Sequence, residues 1–163
     1  MKLFKNVFAP EIGASLAFVG LMQPASGGLL SVSEIQAQWF SELCKGTIKL
    51  PSIEKMFHNM EQDQQRSESI YYASARHTIQ QDPIPYIDEI ASYFIARLQL
   101  WRHPSLAWNL IIGYCGPAQW RLQGPHKWSK ARSYTLCSHH PTHVLWNHHF
   151  PCVGNVHCNL YHS

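Results

Sequence analysis

The side chains best suited to chemistry crowd the end of this sequence. Of the 29 residues from Thr135 to Ser163, seven are His and three are Cys, and none is Lys, Arg, Asp or Glu. His139 and His143 stand four apart, as do His148 and Cys152, and His157-Cys158 adds two further soft donors. Imidazole and thiolate at such intervals are zinc-type ligands. The C-x₂-C knuckle of tight zinc fingers is missing, so the spacing favours loose divalent-metal binding over a closed structural site. A small zinc-binding domain built on the tail stands as an alternative. Elsewhere the candidates are thin. Asp88 and Glu89 are adjacent, hence about 100° apart on a helix, cannot face one another as an acid–base pair and read as part of a solvated face. No G-x-S-x-G elbow and no H-E-x-x-H pair occurs. Cys44 beside Lys45, near a helix end, reads as a buried structural thiol. Trp101, Trp108, Trp120 and Trp128 read as packing rather than as a base-stacking platform.

Composition narrows the classes further. The chain has 163 residues, the size of one domain, with 45% hydrophobic and 14% charged side chains, enough apolar content for a packed core. Its net charge of +3 hides an asymmetry, because all ten acidic residues lie at or before Glu89. The six cations after that point are dilute and unclustered, which argues against nucleic acid as a partner. No apolar run approaches the ~20 residues of a membrane span. Five cysteines leave one unpaired in any disulfide scheme, which leans away from a secreted scaffold. The basic and apolar start imitates a signal peptide, yet Phe4, Val7 and Phe8 are mixed into the basic region and Pro10-Glu11 interrupts it.

The elements that would position any site are mostly helical. Residues 15–21, a short apolar run between Gly13 and Pro24, predict a buried strand. Residues 23–28 then turn. Ser33 with Gln36 forms a capping-box pattern, and Ile35, Trp39, Phe40 and Leu43 share one face of a helix over 33–45 ending near Gly46. A second helix, 52–65, carries Ile53, Met56, Phe57 and Met60, with its polar far end fraying. Helices are also expected at 85–98 and 104–112. Beyond Tyr134 the apolar residues follow no period, so 135–163 reads as an irregular, divergent His/Cys-rich tail.

Several ordered blocks carry a resemblance. The string Lys2-Leu-Phe-Lys-Asn-Val-Phe-Ala-Pro10 is similar to the segment before the last strand of the FAD domain in vertebrate flavin-containing monooxygenases. SLAFVGLMQP (15–24), SEIQAQWF (33–40), CKGTIKLPS (44–52) and IPYIDEIAS (84–92) follow in the family's order. So does Gly113-x-Cys115, followed by Gln119-Trp-Arg-Leu-x-Gly-Pro-x-Lys-Trp128. The resemblance covers 1–134, the later third of a full-length enzyme. Two local departures stand out: Tyr114 replaces a proline and His126 a glycine.

The resemblance implies an α/β fragment, mainly helical: the final strand and following helix of a Rossmann-type FAD domain, a helical extension and an irregular tail. It implies FAD and NADPH as cofactors. The reaction would be oxygenation of nucleophilic nitrogen or sulfur in small-molecule amines or thioethers through a flavin C4a-hydroperoxide. It places Gln23 and Ser33 near the flavin. The family's two G-x-G-x-x-G/A turns, which seat pyrophosphates on helix N-termini, do not occur in this sequence. The chain alone is therefore expected to be inactive, and to pair with upstream FAD/NADP domains or with itself. A non-catalytic interaction partner of a full-length enzyme is the rival reading. The cytosolic face of the endoplasmic reticulum is the family's place; without an apolar C-terminal anchor in this sequence, the cytoplasm is the other.

Overall fold

The computed structural model describes residues 3–24, 29–70, 80–107 and 117–137. The chain divides into two compact units, Met1–Arg97 and Leu98–Ser163.

In the first unit the chain begins with a tight reversal. Lys5 and Asn6 both adopt left-handed backbone, at φ 51° and 56°. The Val7 N–H closes the turn on the Phe4 carbonyl at 3.0 Å, and the Phe4 N–H donates to the Phe8 carbonyl at 2.7 Å. Two successive positive φ values define the tight turn that matches strand twist. A short 3₁₀ turn, Gly13–Ser15, follows.

The expected strand over 15–21 does not form. Ser15 belongs to the 3₁₀ turn, and from Leu16 (φ −143°, ψ 130°) the chain runs extended, with its Phe18 N–H bonded to the Val7 carbonyl at 2.8 Å. A strand is made by its ladder, and no ladder partner lies beside these residues among those described. The pairing that does exist lies just beyond, where β1 (Gln23–Pro24) runs parallel to β2 (Gln80–Gln81).

Helix α1 spans Leu29–Cys44, four residues earlier than the capping-box pattern predicts. Its end falls where expected, but its last residue, Cys44, is exposed rather than the buried thiol expected, because it lies at the open end of the helix. Gly46 takes φ 73°, and the Thr47 N–H reaches back to the Glu42 carbonyl at 3.2 Å. Glycine accepts this left-handed position without strain, which is why it ends helices. Glu42 anchors the same turn, accepting from Lys45 Nζ and Thr47 Oγ1, both at 2.7 Å. Helix α2, Ile53–Ile70, opens under Ser52, whose Oγ accepts from the Lys55 N–H at 3.4 Å. It does not fray after 65. Glu and Gln make up five of the nine residues from Glu61 to Ser69 and are good helix formers, so a polar end is still a helical one.

Helix α3, Pro83–Ser92, starts under the Asp82 side chain, which accepts from the Ile84 N–H at 3.2 Å, with proline at the first helical position. It stops well short of 98. Ile95 takes φ 62° and the Ala96 N–H bonds the Ala91 carbonyl at 2.9 Å, a helix-ending reversal with isoleucine where glycine is usual.

The core of this unit is aromatic. Trp39 of α1 stacks on Tyr93 just after α3, with centroids 4.8 Å apart and planes at 11°. Phe8 meets the same indole edge-on at 4.8 Å, and Phe4 at 6.0 Å. Val32, Ile35, Ile87 and Ile90 complete it, all buried.

The second unit is built from short turns: 3₁₀ segments at Leu100–Arg102, Pro104–Leu106 and Pro117–Arg121, then helix α4, Ala131–Cys137. Leu106, Ala118, Leu122 and Ala131 form its buried cluster, flanked by Leu98 and Trp128. The Trp128 N–H bonds the Arg121 carbonyl at 2.9 Å, and Arg132 donates to Ser105 Oγ at 2.7 Å. Helix α4 crosses position 134, where the sequence suggested order would end. Of the helix expected at 104–112, the described part is the 3₁₀ turn Pro104–Leu106; residues 108–116 lie outside the described residues. The left-handed position in the Gly124–Trp128 run is Gly124 itself, at φ 88°, so His126 is not the strained substitute that its place in the motif suggested.

Candidate functional site

Of the two residues singled out from the sequence, Gln23, expected in a turn over 23–28, is instead the first residue of β1, and Ser33 lies inside α1; residues 25–28 lie outside the described residues. Gln23 is exposed, with its backbone in the parallel pairing opposite Gln80. Ser33 is not a helix cap. It lies one turn inside α1, and its Oγ donates back to the Leu29 carbonyl at 3.0 Å. Gly20 packs close to it: a Cβ on that glycine would come within 3.1 Å of Ser33 Oγ, and Gly20 holds φ 81°. The left-handed conformation is what favours glycine there.

Gln36, the other half of the expected capping box, does something different. It is fully buried. Its Oε1 accepts from the Gly20 N–H at 2.8 Å, and its Nε2 donates to the Tyr86 hydroxyl at 2.6 Å. Tyr86 then donates to the Lys5 carbonyl at 2.5 Å. The Lys5 ammonium, with its side chain only 3% exposed, lies between two carboxylates, Asp63 at 2.7 Å and Glu89 at 2.6 Å. One hydrogen-bonded line therefore joins the Gly20 turn, α1, α3, the N-terminal turn and α2. Burial raises the Tyr86 hydroxyl far above its ordinary pKa despite the Gln36 bond, so it stays protonated and donates. Tyr93 is pushed up to about 12, first by burial and then by the negative charge of Glu89 and Asp63.

Sequence reasoning placed Glu89 on a solvated face and gave Lys5, Gln36 and Tyr86 no joint role. No local spacing announces a network whose members are 16, 50 and 81 positions apart. Gln36 alone carried a signal, an amide on the same side of α1 as the apolar stripe.

The metal reading has no purchase in the described residues, where no group of three His, Cys, Asp or Glu side chains converges. The tail histidines and cysteines on which that reading depends, from 138 onward, lie outside the described residues, as do Trp108 and Cys115. Among the described residues no helix is long and apolar enough to cross a membrane.

Comparison with known proteins supplies the lineage. Residues 1–147 match the family model described as FMO-like, flavin-binding monooxygenase-like. Flavin-containing monooxygenase 5 of Rattus norvegicus is 39% identical over 141 residues, covering 83% of this chain and 26% of the relative. Flavin-containing monooxygenase 3 of the same species is 35% identical over 139 residues, covering 82% and 26%. The chain thus spans about a quarter of the length of the curated relatives it matches. Among solved structures, the S-allyl-L-cysteine S-oxygenase of Allium sativum superposes with a TM-score of 0.53 at 24% identity, over 83% of this chain and 31% of that one, a likeness of fold. The ordered blocks, the family match over 1–147 and the shared fold agree: this chain belongs to the flavin-binding monooxygenase-like family.

Proposed function

We propose that this chain is a structural portion of an NADPH- and FAD-dependent monooxygenase that oxygenates nucleophilic nitrogen or sulfur of small molecules, and that it does not turn over alone. The observation carrying this reading is a pairing of facts. The family match runs over 1–147, yet the sequence contains no G-x-G-x-x-G/A turn. A dinucleotide pyrophosphate is seated by backbone N–H groups at a glycine-opened helix start. The described start of α1 presents exposed Leu29 and Leu30, and the Ser33 hydroxyl donates into its own helix. These residues do not fit the seat of an FAD pyrophosphate. Gln23, an exposed amide at the end of an extended run, fits an edge contact to a flavin or to a bridging water.

The partner this reading requires is the dinucleotide-binding part of a family member. Leu16, Val19 and Leu21 are each 45–47% exposed along one extended stretch, an apolar edge suited to pairing with further strands or with another copy. The cytosolic face of the endoplasmic reticulum is the proposed place of action and the cytoplasm the alternative; membrane pelleting of the expressed chain separates them.

The test uses the purified chain. Its absorbance spectrum with added FAD should show no retained flavin band after desalting, and NADPH consumption with a tertiary amine or a thioether should stay at background. Mixing the chain with a family relative deleted for its matching segment should bring the flavin band back. A near-stoichiometric flavin band on the chain alone, or turnover needing both cofactors, overturns the proposal.

A further inference from the structure

The buried line from Gly20 to Lys5 does more than satisfy polar atoms. A core glutamine could meet its needs with any nearby backbone group, and a buried tyrosine hydroxyl with any one acceptor. Here each bond ends on backbone that is locally unusual. Gln36 Oε1 takes the N–H of Gly20, a left-handed residue three positions before Gln23. The Tyr86 hydroxyl ends on the carbonyl of Lys5, the first of two successive left-handed residues. Two stretches that belong to no helix are thus held by side chains from α1 and α3. We infer that Gln36 is a positioning residue for the Gly20 bend that leads into β1, and that Tyr86 couples that bend to the Lys5–Asn6 turn, so that the setting of the Gln23 amide depends on both.

The inference concerns backbone position and stands whether or not the turn meets a flavin. It differs from a plain core role in what it demands. A core role predicts loosening throughout the unit when Gln36 is cut back. Positioning predicts loosening confined to the turn, and recovery when an acceptor oxygen is returned.

The experiment is hydrogen–deuterium exchange of the full 163-residue chain, read by mass spectrometry on peptides covering 3–10, 16–24 and 37–44. Gln36→Leu keeps the bulk and removes the acceptor. Exchange over 16–24 should rise about tenfold, the loss of one buried hydrogen bond, while 37–44 stays within about twofold. Gln36→Glu restores an acceptor to the Gly20 N–H and should return 16–24 to within about threefold of the parent. Tyr86→Phe leaves the Gly20 bond in place and should accelerate 3–10 first. Unchanged exchange over 16–24 in Gln36→Leu, or an equal rise over 16–24 and 37–44 that Gln36→Glu fails to reverse, overturns the inference. If Gln36→Leu does not fold, Tyr86→Phe decides alone: faster exchange over 3–10 than over 16–24 supports the line, and the reverse order overturns it.

Discussion

Helices α1 and α2 carry apolar stripes of the same helical spacing and meet opposite fates. On α1, Ile35 and Trp39 are buried, Trp39 against Phe4, Phe8 and Tyr93. On α2, Met56 is buried, while Ile53 and Phe57 remain 53% and 43% exposed. Periodicity states that a helix has an apolar face and says nothing of what covers it. For α1 the cover comes from within the chain, from the N-terminal turn and from α3 and the Tyr93 that follows it. For α2, Ile53 and Phe57 stay open to solvent.

The comparison is broken most sharply at Trp39. Trp39→Ala should cost about 4 kcal/mol, since it empties a site that Phe4, Phe8 and Tyr93 all line. Urea titration followed by circular dichroism checks it; a loss under about 1 kcal/mol would mean the cover is loose. Lys5→Met comes next, at about 2 kcal/mol. Breaking a buried ion pair costs roughly 3 to 5 kcal/mol, but here both carboxylates keep partial access to water, their side chains being 22% and 39% exposed. The same titration in Lys5→Met, against the parent chain, reads that loss.

The covered face should also leave an alkaline signature. Tyr93 titrates near 10.0 when unfolded and at about 12 in the fold, so the unfolded chain ionises first. Its contribution is complete below pH 10 and is lost as pH rises through about 12. The urea midpoint should fall across that window, with Tyr86 contributing to the same fall, and Tyr93→Phe should make it shallower.

Smaller effects sharpen the other half of the contrast. Ile95→Gly should stabilise by about 0.5 to 1 kcal/mol, because it relieves a left-handed β-branched residue whose side chain is 71% exposed and so gives up little burial. A rise in the thermal midpoint is the readout. Phe57→Ser should change stability by less than about 0.5 kcal/mol while reducing self-association in sedimentation, because its ring faces outward. A large stability loss would show that α2's face is covered after all.

The two helix ends explain what the sequence could and could not disclose. Gly46 and Ile95 occupy equivalent left-handed positions, and the Thr47 and Ala96 amides make equivalent backward bonds, to Glu42 and Ala91. One end was legible because glycine is the residue the geometry prefers. The other was invisible because isoleucine is a residue the geometry penalises, so α3 was read as running on. The start of α3 was readable in principle, since Asp82-Pro83 is a cap followed by a first-turn proline. At the candidate site the sequence placed Ser33 on a helix but Gln23 in a turn, whereas Gln23 lies in β1. The pairing with Gln80 and the Gln36 bond to Gly20 that fix this stretch come from residues distant in sequence. Local pattern carries no record of those.

The burial of Lys5 has a chemical consequence. Amine-reactive reagents need the ε-nitrogen to be approachable, and its side chain is 3% exposed, whereas that of Lys45 is 53% exposed. Brief acylation of the folded chain should therefore mark Lys45 early and leave Lys5 unmarked until the N-terminal turn lifts away from α2 and α3. The lysine at position 5 is a built-in clock: the rate at which it takes up label measures how often the first unit opens, with no probe introduced.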